Sequence, residues 1–163
     1  MPGLRPYLNQ ISVSDGGVPK LPVPEARITL EGVAGDRQRN RDVHGGVDRA
    51  VCLFSLEAIE ALQAEGHAIK PGASGENLTI AGLDWLTLKP GDRLRIGGHA
   101  RLELVSYTSP CIFNARWFVD GEFSRISQKL HPGWSRLYAR VLAEGHVRAG
   151  DGVVVASDTE QGI

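Results

Sequence analysis

A chain of 163 residues with 42% apolar and 23% charged content is sized for one globular domain and is too apolar for a disordered segment. Its formal net charge of −1 leaves no global field to draw it to nucleic acid or to an anionic membrane, and neither partner is expected. With two cysteines, no signal-like N-terminus and no apolar run of membrane-spanning length, the thiols are expected to be reduced and the chain cytoplasmic.

In chain order, YLNQISVS and ARITLEGV alternate as strands do, with the proline-rich PKLPVPEA (Pro19 to Ala26) as an extended connector between them. The polar stretch GDRQRNRDVHGGVDR runs from Gly35 to Arg49, and its Gly45-Gly46 pair marks a turn or a close backbone approach. AVCLFS (Ala50 to Ser55) reads as a buried strand. SLEAIEALQAEG follows as a helix, with Ser55 as its cap, Glu57 in the first turn and Gly66 past the end. ENLTI, WLTL, RLRIGG and ARLELVSY read as short strands, and RLYARVLAEG and DGVVVAS complete the set. The segment CIFNARWFVDGEFSRISQKLHPGW between them reads as one or two helices stopped by Pro132-Gly133. Close-spaced strands, abundant glycine and few helices predict a mostly β protein, a barrel or closed sheet of mainly antiparallel strands with a few short helices packed at its ends.

Three constellations can carry chemistry. Cys111 follows Ser109-Pro110, a natural cap and a natural first helical residue, which places the thiol in a first turn where a thiolate is favoured. Inert packing, a reactive thiol and a soft-metal ligand all stay open there, whereas Cys52, between Val51 and Leu53, reads as core. His44, beside two glycines, can serve as acid, base or donor on an approachable loop, and Asp48 and Arg49 can pair with each other. Glu76 and Asn77 follow a glycine into a strand, where a barrel rim would lie. His67, His99, His131 and His146 are scattered near turns and read as surface residues. No all-protein metal motif, nucleophile elbow or phosphate loop is present.

Taken together, GGVPK, GDRQ, HGG, DRAV, PGASGENLT, GDRLRIGG, Pro110-Cys111 and ARVLAEGHVRAGD resemble the MOSC domain, named for the C-terminal part of molybdenum-cofactor sulfurases. The match runs from about Ile11 to Val155, treats residues 1–163 as a single domain, and is nearest to the small stand-alone bacterial, YiiM-like branch. The resemblance implies a MOSC-type β-barrel whose cysteine, Cys111 here, carries sulfur or binds the molybdenum of a molybdopterin cofactor. Lys20, Arg49, Asn77 and Arg140 lie in matching motifs as cofactor contacts, and His44 and Glu76 as groups that orient ligand or supply protons. The implied reaction is reduction of an N-hydroxylated small molecule with electrons from a separate donor protein. The alternative is a persulfide carrier served by a cysteine desulfurase. A pyridoxal phosphate domain is not expected in this chain. Thr108-Ser109-Pro110 stands where some relatives carry an arginine, and the basic GDRQRNR stretch reads first as a solvated loop and second as a docking surface for the electron donor.

Overall fold

In a computed structural model that describes residues 5–37 and 46–156, the mostly β expectation holds. Eleven strands are described: β1 (Tyr7–Val13), β2 (Leu21–Val23), β3 (Glu25–Thr29), β4 (Gly32–Val33), β5 (Val51–Ser55), β6 (Leu78–Ala81), β7 (Arg93–Ile96), β8 (Ala100–Tyr107), β9 (Leu137–Ala143), β10 (Gly145–Arg148) and β11 (Val153–Val155). Eight of them form one sheet in the order β11-β7-β8-β9-β5-β6-β1-β2, and β10-β3-β4 form a small second one. Every pairing between the described strands is antiparallel except β5 with β6. The helix α1 (Leu56–Ala64) bridges these two, as a parallel pair requires of its crossover.

The large sheet curls until β1 meets the turn before β11, but it does not close into the expected barrel. An isolated bridge joins Tyr7 to Gly152, and main-chain bonds Leu8 N to Asp151 O (2.8 Å) and Gly150 N to Leu8 O (2.7 Å) stitch β1 to the turn before β11. The seam is a stitch and not a continuous ladder. Inside the curl lies the main core, fed by alternate residues of each strand: Val51 and Leu53, Leu78 and Ile80, Leu137, Ala139 and Val141. Ile28, Val33 and Val147 bring the small sheet into the same core.

The opposite face of β5 and β6 carries a second layer. Phe54 packs there with Ala58, Ile59 and Leu62 of α1, and with Ile69, Ala73, Phe118 and Ile126. The helix forms as its sequence predicts: the Ser55 hydroxyl accepts the Ala58 N–H at 3.1 Å and Glu57 lies in the first turn. Among the described residues no helix is long and apolar enough to cross a membrane.

Four local expectations are corrected. WLTL is a 3-10 turn over Trp85–Thr87, and the proline-rich connector supplies β2, which pairs with β1. The long segment after Cys111 contains no α-helix. It makes three 3-10 turns, Ile112–Trp117, Val119–Gly121 and Phe123–Ile126. Its apolar residues lack one helical stripe, and Asp120, at φ 56°, turns the chain out of the helical region. His67 is packed and not on the surface: its ring lies 5.1 Å from Phe118, and its Nδ1 accepts the Val119 N–H at 3.0 Å.

Candidate functional site

Of the predicted site residues, Cys111 and Arg49 both act on Tyr138, whose side chain lies on the outer face of the large sheet. Cys52 is directly opposite Tyr138 in the β5–β9 register, so the two side chains are neighbours on this face. Tyr138 pairs in turn with Ser106 across β8. The Cys52 Sγ lies 3.8 Å from the Thr108 hydroxyl, at the start of the segment that leads to Cys111. Cys52 is therefore buried, as its sequence context predicts of a core residue, on the face of β5 that adjoins the site. Burial pushes its thiol up, against the opposing pull of the Arg136 guanidinium.

Cys111 is half-buried. It does not sit in the first turn of an α-helix: it is the extended N-cap residue of the six-residue 3-10 turn Ile112–Trp117, with no side-chain cap bond. The next two residues, Ile112 and Phe113, are apolar and exposed, at 66% and 49%.

Four of the other predicted residues are engaged in holding the fold. Glu76 is fully buried, and its carboxylate takes the Gly72 N–H (3.0 Å), the Ser74 hydroxyl (2.8 Å) and the Thr79 hydroxyl (3.1 Å). Burial raises its carboxyl above the usual range, outweighing these hydrogen bonds. The turn needs Gly72, at φ +84°, because a Cβ there would overlap the Lys20 carbonyl and crowd the Ser12 hydroxyl. Asn77 bonds the main chain of Cys52 and donates to Asp36 Oδ2 at 2.9 Å. Lys20 is buried and paired to Asp36 at 2.6 Å. Arg140 lies between Glu103 (3.3 Å) and Asp48 (3.6 Å), so Asp48 faces Arg140.

Arg49 is exposed and stands over the Tyr138 ring, with its guanidinium carbon 5.8 Å from the centroid. Tyr138 is buried, which pushes its hydroxyl up to about 12. Cys52 and Cys111 push it the same way, while Arg136 and Arg49 oppose them. His44 and most of the basic GDRQRNR stretch lie outside the described residues. Among those described, no three His, Cys, Asp or Glu side chains are grouped to hold a metal ion.

Three residues escaped the sequence reading: Arg136, Asn114 and Asp36. Arg136 is buried and donates to the Ser74 carbonyl (2.7 Å) and the Ser109 carbonyl (3.1 Å). A guanidinium thus does reach the segment before Cys111, but from the start of β9. Asn114 donates to the same Ser74 carbonyl at 3.1 Å. Only Asp36 had a local signal, its place in the GDRQ motif.

Residues 40–154 match the model of the MOSC domain. The chain belongs to the MOSC domain family. It is 32% identical over 149 residues to the uncharacterized protein YflK of Bacillus subtilis, covering 90% of this chain and 66% of that one. To YiiM of Escherichia coli it is 34% identical over 131 residues, covering 77% of this chain and 56% of the other. It spans less than two thirds of either relative's length. The crystal structure of YiiM from Geobacillus stearothermophilus has the same fold, with a TM-score of 0.71 at 22% identity over 93% of this chain and 75% of that one. The MOSC fold and a YiiM-like membership are thus established.

Proposed function

We propose that this MOSC protein binds a molybdenum cofactor, molybdopterin, with Cys111 as protein ligand to the metal, and reduces N-hydroxylated small molecules with electrons from a separate donor protein. One observation carries the reading: of the two thiols, Cys111 is the half-buried one, in a matching family motif and in a loop bonded on both sides, whereas Cys52 is buried. A thiolate is a soft ligand suited to such a metal.

The donor set fits in part. Cys111 supplies the soft ligand, and the exposed Arg49 suits an anionic phosphate. Arg140 can join it by exchanging Asp48 or Glu103 for the phosphate. Lys20 and Asn77 are committed to Asp36 and the sheet, so they support the site from behind. When bound, the cofactor supplies the two electrons that, with two protons, convert an N-hydroxyl group to N–H and water. Tyr138 keeps its proton through the neutral range and can donate a hydrogen bond to an oxygen held near Cys111. His44 remains the proposed proton donor. Glu76 reaches the loop only through Ser74.

A second reading, the persulfide carrier, is favoured by exposed Ile112 and Phe113 beside the thiol, an apolar step that suits docking by a cysteine desulfurase. The deciding experiment is elemental analysis for molybdenum with fluorescence of oxidised pterin, on wild type and Cys111→Ala from a host that makes the cofactor. Near-stoichiometric metal and pterin, with metal lost in the variant, is expected. Cofactor-free wild type carrying a labile sulfur on Cys111 would replace this reading with the carrier.

A further inference from the structure

Arg136 is 5% exposed, and no carboxylate lies within ion-pairing distance of it among the described residues. Burying a guanidinium is costly unless hydrogen bonds and nearby charge offset it, and here the buried Glu76 carboxyl acts on it through space without touching it. Its two terminal nitrogens go to main-chain carbonyls, Ser74 O at 2.7 Å and Ser109 O at 3.1 Å, while Nε has no partner. The carbonyl of Arg136 itself accepts the Thr108 N–H at 3.0 Å. Residues 108 and 109, just ahead of Cys111, are therefore both bonded to one residue.

The far side of Cys111 is held in a matching way. The Asn114 N–H bonds the Cys111 carbonyl at 2.9 Å, and the Asn114 side-chain amide donates to Ser74 O at 3.1 Å. That carbonyl is the one Arg136 uses. The chain thus leaves one anchor at Ser109 and returns to it at Asn114, with Cys111 between. The anchor is itself tied down, since the Ser74 hydroxyl donates to the buried Glu76 carboxylate at 2.8 Å.

We propose that Arg136 and Asn114 are positioning residues for Cys111, which they hold in place by sharing the Ser74 carbonyl as a common anchor. The inference rests on Cys111 being the reactive group of the proposed function. It also assigns Glu76 its part in the site: Glu76 fixes Ser74, and through Ser74 both feet of the loop. A guanidinium suits this use because its planar fork aims two separate nitrogens in fixed directions, one at each carbonyl.

The test uses the full chain without added cofactor. Iodoacetamide labelling of Cys111 is followed by peptide mass, and hydrogen–deuterium exchange is followed across the chain. Arg136→Met and Asn114→Leu should each raise the Cys111 labelling rate about threefold or more and deprotect residues 108–115, with β5 and β8 exchanging as in wild type. Arg136→Lys, which keeps the charge and N–H donors but not the planar fork, should fall between wild type and Arg136→Met. Wild-type labelling and exchange in folded Arg136→Met and Asn114→Leu would overturn the proposal, as would an Arg136→Lys no better than Arg136→Met. Should Arg136→Met fail to fold, wild-type behaviour in both Asn114→Leu and Arg136→Lys would overturn it equally. Because labelling needs no molybdenum, failure of the cofactor reading and failure of this one are separately visible.

Discussion

Asn77 holds Cys52 by its main chain and its side chain at once. Its backbone N–H donates to the Cys52 carbonyl (2.8 Å), and its Oδ1 accepts the Cys52 N–H (3.0 Å). The same amide reaches Asp36, which joins β6 and β5 to the residues that follow β4. Truncation to Asn77→Ala would leave the Cys52 N–H buried without an acceptor. The expected cost is about 2–3 kcal/mol, from one unsatisfied buried donor and the loss of a bond to a charged group. Urea unfolding measures it. A variant of wild-type stability that has lost only molybdenum would mean that Asn77 contacts cofactor and does not brace the sheet.

Much of this fold is legible because it is locally encoded. Ser55 and Glu57 mark the start of α1, an unbroken apolar run marks β5, and alternation marks β8. Cys111 stands out by its motif. What stays hidden depends on long-range burial. Nothing local distinguishes Arg136 from the other arginines, since its role comes from carbonyls 62 and 27 positions away. Glu76 and Asn77 look like rim residues because their partners on Gly72, Cys52 and Asp36 are set by the turn and by register. The segment after Cys111 misleads for another reason: its aromatic residues pack into the second layer from 3-10 turns, a spacing that imitates helix.

The Lys20–Asp36 pair is buried on both sides, with side chains 8% and 6% exposed. Lys20→Met keeps the stem but strands a carboxylate that also accepts from Ser14 N and Asn77. Removing one partner of a buried pair costs about 3–5 kcal/mol. The contrasting change is Arg140→Ala, which removes partly exposed pairs and should cost no more than about 1 kcal/mol. Denaturation midpoints of the two variants should differ accordingly. Equal and small effects would show that Lys20 is free to serve a ligand.

Glu76 should make stability depend on pH. Its folded-state carboxyl is raised above the ordinary 4.5 by burial, so its favourable contribution is complete below that value and is lost as pH rises through the raised folded value. Glu76→Gln removes the titration while keeping an oxygen for the Gly72 N–H and the Thr79 hydroxyl, and the Ser74 hydroxyl can turn to accept from the new amide. The stability of wild type minus that of the variant should therefore fall as pH rises from below 4.5, then level off above the folded value. Thermal melts at a series of pH values give the difference directly. A flat difference would mean that the carboxyl binds its proton equally well in the folded and the unfolded chain.

The two thiols should separate cleanly. Cys52 is buried against Thr108 in a strand whose residues are all buried, so Cys52→Ala removes packing and costs about 1–2 kcal/mol. It should leave molybdenum binding intact, because Cys52 enters the reading only as a neighbour of Tyr138. Cys111 is half-buried and its side chain makes no cap bond, so Cys111→Ser should change stability by no more than about 0.5 kcal/mol. That variant should nevertheless lose metal, or persulfide in the second reading, because a hydroxyl is neither a soft ligand nor a sulfur carrier. Melting temperature and metal content, measured on the same two preparations, decide the matter. Loss of metal in Cys52→Ala with retention in Cys111→Ser would reverse the assignment and make the buried thiol the ligand.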